Sequence, residues 1–345
     1  MAIPDSLARW REFMDERAVE PEQLSMKRLS SLSDEAKEEY DRQRFAWIGA
    51  DTVLETKDSD PIEKHLRIVQ ARIGARSATA KRAFAISGRA GLGKSTTALN
   101  LGRKHERQRR KTLGDGPDVT PVVYAVVPPG ATPKMLMRAF ATWLGMQVPQ
   151  RFDAPTITDQ VVRVMTEQQT SLVIVDEVHN LRTTRSAGAE AASQLKVFTE
   201  RVDAAFVYCG IDLLTSDLFT GDIGKQIRAR TKMYALEPYS FGSAQDRDDW
   251  LELVLGMEDL LPLSNHPEGL LEEEASYLFH RTGGSIGSLR GLLGDAAIEA
   301  ILSGRERVDR ALMDEIILDE EAVRGANDAV SPGPSPTRAR TKKTG

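Results

Sequence analysis

An α/β fold with a mainly parallel sheet, helices on both of its faces and a small all-helical domain after it is what three features of the sequence predict. Strand-length apolar runs alternate with helix-length amphipathic segments up to about residue 239, the pattern of successive βαβ units. The segment Gly88-Arg89-Ala90-Gly91-Leu92-Gly93-Lys94-Ser95 fits G-x-x-x-x-G-K-[ST] and stands between one such run and a helix start. From about Ser240 onward the pattern is helical only.

The elements follow in order. Residues 1–58 read as a polar, helical accessory segment, with Leu7, Trp10 and Phe13 at helical spacing and Ser33-Asp34-Glu35 as a cap before a helix from Ala36 to Trp47. Asp60-Pro61 then opens a helix with Ile62, Leu66, Val69 and Ile73 on one face, the acid as cap and the proline at the first helical position. Residues 59–239 form the expected α/β core. Its strands are Ala83 to Ser87, Val122 to Val127, 171–177, Ala204 to Cys209 and Lys232 to Leu236. Between them, Thr132-Pro133 starts a helix carrying Met135, Leu136, Phe140 and Leu144, and Ile157 to Glu167 is another. Residues 240–322 form the expected helical domain, with helices over Ala244 to Met257, Pro267 to His280, Ser285 to Leu302 and Val308 to Leu318. Residues 323–345 read as a disordered basic tail, rich in Pro, Ser, Arg and Lys.

Composition narrows the function classes. With 345 residues and 41% hydrophobic content the chain can bury a proper core. No apolar run approaches the roughly 20 residues of a membrane helix, and the N-terminus lacks a signal-peptide layout, so a cytoplasmic protein without a membrane partner is expected. The single cysteine, Cys209, excludes an intramolecular disulfide framework and sits in a strand-like run where a buried thiol is expected. A formal charge of −5 leaves DNA contact to local patches. The densest, Arg103 to Lys111, is either a solvated helix end complementing the macrodipole or a DNA-facing patch. Trp10, Trp47, Trp143 and Trp250 are not interleaved with cations and read as packing anchors.

The chemistry is carried by two segments. In the first, Gly88, Arg89, Ala90, Gly91, Leu92, Gly93, Lys94, Ser95 and Thr96 are the expected phosphate-binding residues. Glycines let backbone N–H groups converge on phosphate oxygens, and the helix N-terminus adds partial positive charge. Lys94 would reach the β- and γ-phosphates and the Ser95 hydroxyl would ligate Mg²⁺. In the second, the apolar run Ser171 to Val175 delivers Asp176 and Glu177 at the carboxyl end of a buried strand. Asp176 would hold the Mg²⁺ through water, and Glu177 would polarise the attacking water. The acid pair favours ATP over GTP as the nucleotide.

Beyond these motifs, Val175-Asp176-Glu177-Val178-His179-Asn180-Leu181, the Pro133-Lys134 helix start, and Thr282-Gly283-Gly284-Ser285-Ile286-Gly287-Ser288-Leu289 leading to Ala296-Ala297 resemble a specific group. These are the TniB/TnsC-type transposition ATPases of the AAA+ class, related to the phage Mu target-selection ATPase. The resemblance spans roughly residues 45 to 318. It implies an AAA+ P-loop core followed by a helical lid. It also implies ATP-bound subunits that assemble as a ring or filament on duplex DNA and recruit or stimulate a DDE-type transposase. A neighbouring subunit would complete the site with an arginine, Arg228 first and Arg230 second. Lys134 and Thr156 stand at positions that face DNA in similar proteins.

Two positions depart from the family pattern. Similar proteins often place a threonine after the fourth-strand glycine, where this chain has Gly210-Ile211. The basic residue expected after Ile286-Gly287 is Ser288, and Arg290 is rotated about 200° around the helix from that place. Both departures point to slow hydrolysis or to nucleotide used as an assembly switch. Two other functions fit parts of the pattern. A replication initiator or helicase loader shares the core and lid, and a non-hydrolysing nucleotide-gated interaction module would tolerate Ile211 and Ser288.

Overall fold

The computed structural model describes residues 3–16, 18–50, 54–74, 83–114, 116, 118–181, 185–216 and 218–318. The tail expected at 323–345 lies outside them. The chain divides into two compact units, one of Met1–Glu237 with Leu260–Asn265 and one of Pro238–Asp259 with the described residues of His266–Gly345.

The first unit is built on a five-stranded sheet in the order β2-β3-β4-β1-β5, with β1 Ala83–Ser87, β2 Val122–Val126, β3 Leu172–Asp176, β4 Ala205–Gly210 and β5 Thr231–Ala235. Every pairing is parallel, and Ala83 lies opposite Phe206 on one side and Thr231 on the other. β1, β3 and β4 are buried along their whole length, which is why they read as unbroken apolar runs and not as alternating ones. β5 is an edge strand and only its first residue, Thr231, is buried.

Preceding the sheet are α1 Leu7–Asp15, α2 Met26–Leu29, α3 Asp34–Ile48 and α4 Ser59–Gly74. Around it lie α5 Lys94–Leu113, α6 Pro133–Trp143, α7 Ala154–Glu167, α8 Arg185–Arg201 and α9 Gly221–Ala229. Side-chain oxygens of Ser6, Ser33, Thr132 and Asp153 cap α1, α3, α6 and α7, each satisfying a first-turn amide that would otherwise be orphaned. Asp60 is not a cap, because α4 begins one residue earlier and the Asp58 carbonyl takes the Ile62 amide. On α6, Leu136 and Phe140 are buried while Met135 is exposed.

Residues 1–58 are part of this unit. Trp10 and Phe13 join the main core cluster, and Trp10 lies so close to α5 that a Cβ at Gly102 would approach its ring to 2.6 Å. Residues 260–265 return to the same unit. There the Trp47 indole donates to the Leu260 carbonyl at 2.8 Å, and the fully buried Arg44 reaches the Pro262 carbonyl.

The second unit is helical: α10 Ala244–Glu258, α11 Leu270–Glu273, α12 Ala275–Thr282, α13 Ile286–Leu302 and α14 Arg310–Glu315. Ser243 and Asp246 form a reciprocal capping box on α10. The helix expected over Pro267 to His280 is instead two short ones. The buried Glu258 carboxylate takes the Gly269 and Leu271 amides, fixing a turn where an unbroken helix would have begun.

Candidate functional site

β1 sits between β4 and β5, so the strand order reverses beside it, and the carboxyl ends of β1, β3 and β4 open on the crevice where doubly wound sheets bind ligands. The loop leaving β1 is fastened to the end of β4. The Gly88 amide donates to the Gly210 carbonyl at 3.3 Å, and the Ser87 hydroxyl accepts the Leu213 amide at 3.1 Å.

Residue 88 must be glycine, because a Cβ would stand 2.7 Å from the Leu236 carbonyl oxygen. Gly91 and Gly93 hold φ of 73° and 78°, left-handed values that a side chain resists. Leu92 anchors the loop in the core, leaving Arg89, Ala90 and Gly91 exposed at its tip. The first turn of α5 has no side-chain cap, unlike α6 and α7, so its amides face the loop. Lys94 is 7% exposed and its amine donates to the Arg89 carbonyl at 2.5 Å across the loop. Burial lowers its pKa, while the Glu177 and Asp176 carboxylates oppose the shift. Ser95 and Thr96 follow, half-buried. A positively charged, glycine-lined cradle at an uncapped helix N-terminus fits a nucleotide polyphosphate.

Asp176 ends β3 fully buried. One of its oxygens accepts the Glu177 amide at 2.8 Å and the other accepts the Tyr124 hydroxyl at 2.5 Å. Glu177 has φ 56°, left-handed for a residue with a side chain, and such strain concentrates at functional sites. Its carboxylate lies 3.2 Å from His179 Nε2, and His179 Nδ1 accepts the Ile211 amide at 3.3 Å. Among the described residues no group of three or more His, Cys, Asp or Glu side chains could hold a metal on its own. A magnesium ion here would take the Ser95 hydroxyl from the protein directly and Asp176 through water, with its remaining ligands from nucleotide oxygens and water, its usual manner of binding.

Lys94, Asp176 and Glu177 are therefore brought together, with Ser95 next to Lys94 at the start of α5 and Tyr124 held to Asp176. Cys209 lies beside them, fully buried, and its thiol pKa is raised by burial. Arg228 is exposed on the last turn of α9, and Arg230 just past it is ion-paired with Glu200. Lys134 and Thr156 stand at the starts of α6 and α7 and meet around Asp153. That carboxylate caps Thr156 at 2.9 Å and feels the Lys134 charge, while Lys134 also donates to the Gln150 carbonyl at 2.7 Å. In the helical unit Ser288 is buried and its amide is capped by the Ser285 side chain.

Of the basic run, Lys104 pairs with Glu55 and Glu63, Arg103 donates to the Phe13 carbonyl, Arg110 pairs with the buried Glu106, and His105 is buried. Much of the patch is thus satisfied internally. Sequence reasoning passed over Tyr124, His179 as a partner of Glu177, and Ser87. For Tyr124 the signal was a hydroxyl inside the run Val-Val-Tyr-Ala-Val, where burying a polar tip demands a partner.

The fold has solved counterparts. The chain is similar to the Aeropyrum pernix ORC1 protein in complex with DNA, at 16% identity and a TM-score of 0.57, covering 79% of this chain and 67% of that one. It is similar to the Aeropyrum pernix ORC2 protein in its ADPNP-ADP complexes, at 17% identity and a TM-score of 0.56, covering 81% and 71%. Drosophila ORC bound to DNA gives 14% identity and a TM-score of 0.53, covering 88% and 72%. These likenesses carry the fold, which is that of the AAA+ ATPases. No curated protein matches the chain in sequence. The family model described as "Bacterial TniB protein" matches residues 44–241, more than half of the chain, and the protein belongs to the TniB family.

Proposed function

We propose that this protein is an ATP-dependent, largely sequence-nonspecific DNA-binding ATPase that oligomerises on duplex DNA and marks a target for, or stimulates, a DDE-type transposase. The observation that carries the nucleotide part is the convergence of Lys94, Asp176 and Glu177 at the carboxyl edge of the sheet, beside a glycine loop shaped for phosphates. Membership of the TniB family supports the transposition part.

In this reading the loop amides, Lys94 and Ser95 hold the β- and γ-phosphates, and Asp176 with Ser95 holds Mg²⁺. The ion, when bound, neutralises charge developing on the phosphoryl oxygens. Glu177 accepts a proton from the attacking water, and the His179 contact sets its direction. Arg228 of a neighbouring subunit would complete the site in an assembly, Arg230 being engaged by Glu200. Lys134 and Thr156, in the first turns of α6 and α7, would contact backbone phosphates without reading bases. Among the described residues no helix is long and apolar enough to cross a membrane.

The initiator reading draws on the ORC likeness, which is one of fold, whereas the family match favours transposition. The interaction-module reading draws on Ile211 and Ser288. The experiment that separates them is the size and duplex association of the purified protein without nucleotide, with ADP, with ATP, and with ATP on Glu177→Gln. Large assemblies on nonspecific duplex with ATP alone support the proposal. Its binding should weaken with salt at a log–log slope of about 0.9 per phosphate neutralised. Strong preference for one site favours the initiator, and a nucleotide-indifferent monomer favours the module.

A further inference from the structure

We infer that Tyr124 is a positioning residue of the nucleotide site, the hydroxyl that fixes Asp176 for a magnesium ion, and that Trp10 of the N-terminal helix braces it. The inference rests on the nucleotide reading of that site.

Tyr124 lies in the middle of β2 with no exposed surface. Its hydroxyl donates to Asp176 Oδ2 at 2.5 Å. The other Asp176 oxygen accepts the Glu177 amide at 2.8 Å. The polarity of the Tyr124–Asp176 contact is determined: a carboxylate can only accept, so the Tyr124 hydrogen points to Asp176. The phenol thus orients the carboxylate that would hold the ion, as the groups behind metal sites generally do. A phenylalanine would fill the same space without the desolvation cost of a buried hydroxyl.

The ring is itself held. Trp10 stacks on it with centroids 6.2 Å apart and planes 15° from parallel, and the Trp10 indole donates to the buried Glu106 of α5 at 2.7 Å. Glu106 is paired in turn with Arg110. The N-terminal helix, the phosphate-loop helix and the hydroxyl that holds Asp176 are therefore one packed unit.

The test is Tyr124→Phe in the full-length protein, which keeps the ring and its stack on Trp10. Binding of an N-methylanthraniloyl ATP is followed by fluorescence in EDTA and along a MgCl₂ titration, alongside the melting temperature. The expected result is unchanged affinity in EDTA with a half-saturating Mg²⁺ concentration raised about tenfold, the lower end of what losing such a supporting group costs. A purely structural tyrosine would lower the melting temperature and leave the Mg²⁺ half-saturation unmoved, which overturns the inference. Should the variant not fold, Trp10→Phe decides: a rise in half-saturating Mg²⁺ supports the brace and no rise overturns it. A wild-type protein that binds no nucleotide overturns the nucleotide reading and this inference with it. Equal Mg²⁺ dependence in wild type and variant overturns this inference alone.

Discussion

His179 Nε2 lies 3.2 Å from Glu177 Oε2, so the proposed general base is held by an imidazole and does not swing free in the crevice. The tautomer is set from behind, since Nδ1 accepts the Ile211 amide and leaves the proton on Nε2 facing the carboxylate. The end of β4, where this chain lacks a hydroxyl side chain, is connected to the acid through that ring. His179→Ala should lower ATP turnover by about 10- to 100-fold, the scale of a misplaced catalytic group, with ATP affinity unchanged. Steady-state kinetics beside equilibrium nucleotide binding checks this, and equal turnover would remove His179 from the mechanism.

Lys94 and Glu177 should separate binding from chemistry. Lys94→Ala removes the buried amine of the loop and is expected to abolish ATP-dependent association with DNA while leaving the melting temperature without nucleotide nearly unchanged. Glu177→Gln keeps the shape of the acid but cannot take a proton, and turnover should fall by about 10² to 10⁴ with ATP binding intact. Nucleotide binding measured on both variants, with phosphate release on the second, gives the comparison.

Two glycines make a stability pair. Gly88→Ala places a methyl 2.7 Å from the Leu236 carbonyl oxygen, backbone that cannot rotate away, and should cost about 1–3 kcal/mol. Gly291→Ala on α13 meets nothing within 4 Å and should gain up to about 1 kcal/mol by helix propensity. Denaturant titration of each variant is expected to give opposite signs.

His105 should make the protein acid-sensitive. Burial, and then the nearby Arg109 charge, bring its pKa down to about 4. Gln70 and Ser171 contact its two ring nitrogens, and Asp203 lines the same cavity. Between pH 4 and the ordinary value of 6.5 the unfolded chain binds the proton and the folded one does not. Stability therefore rises with pH across this window and is lost on acidification, by roughly 3 kcal/mol in all. His105→Gln should flatten that slope relative to wild type when unfolding is followed at pH 7 and pH 5.

The parallel sheet was legible because its buried strands are continuous apolar runs bounded by turn residues, and the phosphate loop because few other arrangements need glycines and a lysine at that spacing. Asp176 and Glu177 were legible for the same reason, standing at the end of such a run. The contacts of Tyr124 and His179 were not, since they depend on strands and loops far apart in sequence meeting at one edge of the sheet. The break near Glu274 was hidden because the Glu258 carboxylate that fixes the preceding turn is supplied from α10. Trp10 could be read as a packing anchor, but not as one that packs on Tyr124.

The strand order has a consequence for how the protein is made. β1 emerges from the ribosome early, yet its partners are β4 and β5, so Ala83 waits for Phe206 and Thr231 to be synthesised. The Gly88 amide waits likewise for the Gly210 carbonyl. Such long-range pairing closes slowly and leaves apolar strands uncovered in the nascent chain. The phosphate loop is thus among the last parts of the first unit to take shape during translation, and a nascent chain truncated before β4 should not be able to hold nucleotide.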